Sequence, residues 1–148
     1  MLLGTYFGVL SPKRRTAVPS TFRKLLGDRL IIAKWYEGCL VLVSEVAWSA
    51  LLKRLTAKAE TITASVRDTD RFILGSAYEV LPDDQGRVVI PEFLASYAHL
   101  GDEIVFLGLG DRIEIWNREK WKEREILISK NASQLLESIA KSSRNGSS

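Results

Sequence analysis

Arg15-Thr16-Ala17-Val18-Pro19 and Arg87-Val88-Val89-Ile90-Pro91 carry arginine, an apolar run and proline in the same order, 72 residues apart. Lys13 and Arg14 precede the first phrase, whereas Asp83, Asp84 and Gly86 precede the second. The chemistry open to the first is phosphate neutralisation, in which lysine and arginine displace counterions from DNA. Arginine can also bond bidentately to guanine O6 and N7 in the major groove. Lys13, Arg14, Arg15, Arg23 and Lys24 therefore form a candidate DNA face, with Arg15 the first choice for a base or close-phosphate contact. Arg29 and Lys34 add to the same basic stretch, whose plainer reading is a solvated turn. In the second phrase, Asp83, Gly86 and Arg87 have the spacing of a turn whose carboxylate can pair with the arginine across it. Glu79, Asp84 and Glu92 surround that arginine and repel phosphate, so a structural role is expected for Arg87 ahead of a second DNA contact.

Other chemistries find few residues. One histidine and one cysteine supply no zinc set, no Ser–His pair with a recognisable elbow is present, and no P-loop occurs. The chain reads as a non-enzyme without metal or cofactor. The acidic pairs Asp83-Asp84 and Asp102-Glu103 lie at turns, where turn chemistry accounts for them. Gly108-Leu109-Gly110 is too short for a nucleotide fingerprint. Cys39, beside Leu40 to Leu42, reads as a small core residue, and His99 as a surface or helix-end residue. Trp35, Tyr36, Trp48, Trp116 and Trp121 could stack on single-stranded bases. Their placement at hairpins and helix starts favours packing instead.

The 148 residues allow one domain or two small modules sharing a core. No apolar run approaches the roughly 20 residues needed to span a bilayer, and no signal-peptide pattern opens the sequence. The expectation is a soluble cytoplasmic protein. Its net charge of +3 hides an asymmetry. Residues 1–35 carry seven Lys/Arg against Asp28 alone, whereas residues 75–116 carry eight acids against Arg87 and Arg112. A fold requirement would act on both copies; a partner requirement need not, so the halves are expected to meet different partners. Contact between opposite halves could form within the chain or head-to-tail between chains, where it could close a ring.

Each repeat must place its arginine through strand, tight turn, strand, short helix, hairpin and longer helix. In the first, Thr5–Leu10 and Arg15–Val18 flank Ser11-Pro12-Lys13-Arg14, and Thr21–Leu26 forms a short helix ended by Gly27. Leu30–Ala33 and Leu40–Val43 form a hairpin. In the second, Tyr78–Leu81 and Arg87–Ile90 flank Pro82–Gly86, Phe93–Ala98 is the helix, and Gly101 follows it. Ile104–Leu107 and Ile113–Trp116 form the matching hairpin. Ser44 to about Leu74 is helical in composition, with Val46, Leu51, Leu52, Leu55 and Ala59 as an apolar stripe and Ser44 or Thr69 as caps. A matching helix follows Asn117. The boundaries expected are 1–52 and 75–128 for the repeats, 53–74 for the helical connection, and 129–148 for a helix remnant with a disordered tail from Lys141. One unit has too little core to stand alone, so pseudo-two-fold packing of two units into an α+β fold is the economical solution.

The phrase Asp83-Asp84-Gln85-Gly86-Arg87-Val88-Val89-Ile90-Pro91 resembles the strand–loop–strand signature of the swapped-hairpin, AbrB-like superfamily of transition-state regulators and antitoxins. Two copies, a Met1-Leu2-Leu3-Gly4 start and Trp-bearing hairpins resemble the MraZ family more narrowly, over residues 1 to about 125. That resemblance implies tandem swapped-hairpin domains and a bacterial DNA-binding transcriptional regulator. It also implies a ring-shaped homo-oligomer acting on double-stranded DNA repeats at the promoter of the division and cell-wall gene cluster. A nucleoid-associated location would follow, with no membrane or small-molecule partner. The family's Asp-x-x-x-Arg element falls on Asp83 and Arg87. The first copy departs from it with Ser11 and Arg14 in place of Asp and Gly, so either Arg14 bears a left-handed backbone or the turn changes type. The alternative is an antitoxin-like or scaffold module whose acidic second repeat binds a basic protein.

Overall fold

In a computed structural model, residues 1–56 and 63–146 are described. The first repeat supplies β1 (Leu2–Val9), β2 (Arg15–Ala17), α1 (Ser20–Leu26), β3 (Leu30–Lys34) and β4 (Leu40–Ser44). Two helices follow, α2 (Glu45–Thr56) and α3 (Ala64–Ile73). The second repeat supplies β5 (Tyr78–Val80), β6 (Arg87–Val89), α4 (Glu92–Tyr97), β7 (Glu103–Gly110) and β8 (Ile113–Asn117). Met1–Arg118 is one compact unit. Glu119–Ser148 is a second, formed by α5 (Arg118–Lys130) beyond its first residue and α6 (Ala132–Gly146).

The strands that follow each other in sequence across the tight turns do not pair. β1 lies antiparallel to β7 of the other repeat, β5 lies antiparallel to β3, and β2 pairs with β6 as a separate two-stranded ribbon. With the β3–β4 and β7–β8 hairpins joined through β4 and β8, the main sheet runs β1-β7-β8-β4-β3-β5. The register obeys a pseudo-two-fold axis. Gly8 faces Ile104 as Val80 faces Leu30, and Tyr6 faces Phe106 as Tyr78 faces Ile32. On the axis, residues meet their own counterparts: Thr16 faces Val88, and Val41 faces Glu114. The pseudo-two-fold α+β packing expected from the repeat is the one formed, with the strand exchange that the family resemblance implied.

Alternation along the strands sends Leu30, Ile32, Leu42, Ile104, Phe106 and Ile115 to one core, all buried. Each short helix adds the same position to it, Phe22 from α1 and Leu94 from α4. At about 25 cal/mol per Å², burial of such side chains is the main force holding the repeats together. The opposite side of the sheet is also covered near β3 and β4, where α2 and α3 pack. Val41 and Val43 are consequently buried too, which explains the unbroken apolar run in β4.

Several local expectations are corrected. The apolar stripe of α2 is narrower than its composition suggested: Leu51 is buried, but Val46 is 90% exposed, and Ala59 lies outside the described residues. Ser44 caps α2 by accepting the Ala47 amide at 3.1 Å. Thr63, not Thr69, caps α3, while the Thr69 hydroxyl donates to the Ser65 carbonyl inside the helix. His99, read as a helix-end residue, ends α4 at φ 51°, and Gly101 lies two residues further on. The His99 amide donates to Ser96 O, and the Leu100 amide to Ala95 O, the double closure of a left-handed helix end. His99 thus stands 72 residues after Gly27, which has φ 77°, and two extra residues follow it in the second repeat. The tail read as disordered from Lys141 is helical through Gly146.

Candidate nucleic-acid interface

The two tight turns have the same hydrogen bonds. Ser11 N donates to Arg15 O at 2.9 Å and Arg14 N to Ser11 O at 2.8 Å; Asp83 N donates to Arg87 O and Gly86 N to Asp83 O, both at 2.9 Å. The turn type is therefore retained, and Arg14 bears the left-handed backbone at φ 62°, matching Gly86 at φ 75°. Its Nε donates to the Ile90 carbonyl of the other repeat at 3.0 Å, which offsets part of the strain. The same junction is closed by Ile90 N to Arg14 O at 2.8 Å and Val18 N to Gly86 O at 3.0 Å.

The turns differ in what their first residue offers. Asp83 Oδ1 accepts the amides of Gln85 and Arg87, and Oδ2 accepts Arg87 Nε, each at 2.9 Å. These bonds, the Arg87 amide foremost, hold the Asp83 carboxyl below the usual aspartate range. Ser11 Oγ accepts the Arg15 amide at 3.0 Å but has no second oxygen. Among the described residues, the Arg15 guanidinium has no hydrogen-bond or ion-pair partner, and it is exposed.

Pairing of β2 with β6 brings the two arginines together. Arg15 stands opposite Val89, and Arg87 opposite Ala17, while Thr16 and Val88 point inward and are buried. Arg15 and Arg87 therefore share the outward face of one ribbon. Both line an open groove of about 530 Å³ that also takes in Lys13. They also line a smaller groove of about 270 Å³ beside Asp83 and Val89. A two-stranded ribbon has the dimensions to enter a major groove.

Of the other expected DNA contacts, Lys24 is exposed on α1, while Arg23 Nη1 donates to Gln85 O at 2.8 Å. Arg29 lies 3.9 Å from Glu45, and Lys34 Nζ lies 5.2 Å from the centre of the Tyr97 ring. Sequence reasoning centred the interface on the first repeat, with Asp83, Gly86 and Arg87 as a possible second-repeat motif, and missed that β2 and β6 pair into one ribbon. The available signal was that Arg15 and Arg87 occupy one position of a repeat, and positions related by a two-fold axis meet near it. It also missed the buried Glu114, which accepts Trp116 Nε1 at 3.0 Å and Arg112 Nε at 3.3 Å.

Of the aromatic residues expected to pack, two are core residues; Trp48 and Trp121 are half-buried and Tyr36 is exposed. Trp35 and Trp116 are buried, and Trp35, Tyr36, Phe72 and Tyr97 form a chain of ring contacts. Cys39 is fully buried, and burial pushes its thiol far above the ordinary range. Among the described residues, no three or more His, Cys, Asp or Glu side chains cluster as metal ligands, and no helix is long and apolar enough to cross a membrane.

Reciprocal exchange of strands between two repeats, with a ribbon made from both second strands, defines a tandem swapped-hairpin protein of AbrB-like type. The family described as "MraZ protein, putative antitoxin-like" matches residues 73–141. A Clostridium acetobutylicum protein described as "Transcriptional regulator MraZ" is 39% identical over 133 residues, covering 89% of this chain and 93% of that protein. Proteins so described from Thermoanaerobacter pseudethanolicus and Dictyoglomus thermophilum are 35% and 33% identical. Each alignment covers 95% of this chain, and 94% and 97% of the respective relative. The chain belongs to the MraZ family.

Proposed function

We propose that this chain is a DNA-binding transcriptional regulator that sets its β2–β6 ribbon into the major groove of double-stranded promoter DNA. The observation carrying this reading is the Arg15 guanidinium, unpaired among the described residues, on the outward ribbon face with Lys13 beside it. Arg15 reads a base edge or a close phosphate. Lys13 and Lys24 neutralise phosphates, while Arg14 and Arg23 brace the two ends of the ribbon through the Ile90 and Gln85 carbonyls. Arg87, held by Asp83, serves the turn first and approaches the same groove second. Three or so contacts bind weakly, and a ring-shaped homo-oligomer facing spaced repeats would gain through effective concentration. The operator in this reading is a set of repeats in the promoter of the division and cell-wall gene cluster, and the protein works in the cytoplasm at the nucleoid without a cofactor.

The test is titration of the purified chain with the DNA upstream of its own gene and with a shuffled duplex, across a salt series. Tighter binding to the native repeats and a log–log salt slope of several units support the reading. Equal, salt-insensitive binding would overturn it. Light scattering of the same preparation decides the assembly, and a monomer at all concentrations excludes the ring.

Exposed carboxylates at Glu79, Asp84 and Glu92, unpaired among the described residues, favour a second reading, a protein-interaction module whose acidic repeat engages a basic protein. Charge reversal at these three positions separates the two readings. It abolishes partner capture in the second and leaves DNA binding intact or stronger in the first.

A further inference from the structure

Arg23 reaches out of its own repeat. Its Nη1 lies 2.8 Å from the carbonyl oxygen of Gln85, in the turn of the other repeat. Asp83 holds the Gln85 amide at 2.9 Å, so that residue is gripped from both sides. The neighbouring Gly86 is buried, and a Cβ built on it would stand 2.1 Å from Arg23 Cδ and 2.7 Å from Cζ. The arginine stem therefore runs across the glycine face, and any Cβ there would have to displace it.

The pseudo-two-fold axis supplies the comparison. The counterpart of Arg23 in the repeat is Ala95 of α4, and the counterpart of Gly86 is Arg14, each pair being 72 apart. One end of the ribbon has a helix arginine over a turn glycine. The other has a turn arginine and a helix alanine lining one cleft. In each case a single guanidinium bonds a backbone carbonyl of the second repeat, Arg23 to Gln85 and Arg14 to Ile90. Large and small residues have changed places together across the axis.

We infer that Arg23 is a positioning residue: it locks the second-repeat turn through Gln85, and that turn carries Asp83 and Arg87 to the ribbon face. The inference concerns how the turn is held and rests on the DNA-binding reading only for its effect on affinity. Arg14 plays the corresponding part at the other end, supplied from the turn because the helix position is alanine.

Hydrogen–deuterium exchange of the peptide spanning residues 82–88 tests the lock without DNA. Arg23→Ala is expected to speed exchange there about tenfold, the worth of one ordinary hydrogen bond near the top of its range. Arg23→Lys, which keeps a stem and a donor, restores protection. Gly86→Ala expels the arginine and speeds exchange likewise, and it costs less stability in the Arg23→Ala background than in the wild type. On promoter DNA, Arg23→Ala lowers affinity while the salt slope stays at the wild-type value. Unchanged exchange in Arg23→Ala overturns the inference. So does a slope flattened by about 0.9, the mark of a lost phosphate contact. If the wild type binds no duplex, the regulator reading fails while the exchange arm still decides the lock.

Discussion

Arg15 and Arg87 stand at matched positions on the outward face of one ribbon, and only Arg87 is held by a carboxylate, Asp83 Oδ2 at 2.9 Å. Arg15→Ala should therefore cost more DNA affinity than Arg87→Ala, by about tenfold to a hundredfold if it removes a bidentate base contact. Filter binding or fluorescence anisotropy on promoter DNA measures the ratio. Equal losses would place the two arginines in equivalent roles.

Ser11 is the residue that leaves Arg15 free. Ser11→Asp copies the second turn into the first and should draw the Arg15 guanidinium onto the new carboxylate. Affinity for duplex should fall while thermal stability stays within about 0.5 kcal/mol, as for other surface changes. Undiminished affinity would show that Arg15 does not act from this position.

The Asp83 carboxyl is depressed in the fold, chiefly by the Arg87 amide and also by its guanidinium and the Gln85 amide. Its contribution to stability is present above the ordinary aspartate value, roughly 3.9, and is lost as pH falls through the lower folded value. The melting-temperature gap between wild type and Asp83→Asn should hold at neutral pH and narrow below about pH 4. A gap independent of pH would assign the turn's stability to something other than this carboxylate.

Arg14 at φ 62° is strained and is compensated by its bond to Ile90 O. Arg14→Gly relieves the strain as it loses the bond, whereas Arg14→Ala loses the bond only. Chemical denaturation should find the glycine variant more stable than the alanine variant by about 1 kcal/mol. The reverse order would mean that the turn relaxes to another type.

On the axis, the Thr16 hydroxyl is buried with no hydrogen-bond partner among the described residues, opposite Val88. Thr16→Val makes the pair symmetric and should stabilise the fold by about 1 kcal/mol or more by removing an unpaired polar group. A destabilised variant would point to a water or a partner on that oxygen.

What the sequence made legible and what it concealed divide along the axis. Periodicity and turn residues placed the strands because Leu30, Ile32, Ile104 and Phe106 announce a buried face by composition. The repeat placed Arg15 and Arg87 because arginine and proline recur with fixed spacing. The β3–β4 and β7–β8 hairpins were legible from their turns, but the exchange of β1, β2, β5 and β6 between repeats is a long-range choice that neither signal carries. Glu114 carried no sequence signal of burial: it is charged in a strand of apolar neighbours, and its partners Arg112 and Trp116 each lie two positions away. His99 was legible as a helix-end residue, but its left-handed backbone was not, because glycine is the residue expected in that conformation. The paired exchange of Arg14 with Gly86 and Ala95 with Arg23 has no local signature at all; each residue is explained only by one in the other repeat.

The pairing of Leu2 with Gly110 and of Val9 with Glu103 has a consequence for how the protein is made. The first strand leaves the ribosome with its partner, roughly 100 residues downstream, still unsynthesised, a wait of roughly 5–20 s at ordinary elongation rates. Throughout that time, the apolar edge of the nascent first repeat can accept the same strand of another nascent chain. Neighbouring chains on one messenger are the nearest competitors. A lower translation rate across the second repeat should therefore raise the fraction of intermolecularly exchanged, misassembled protein.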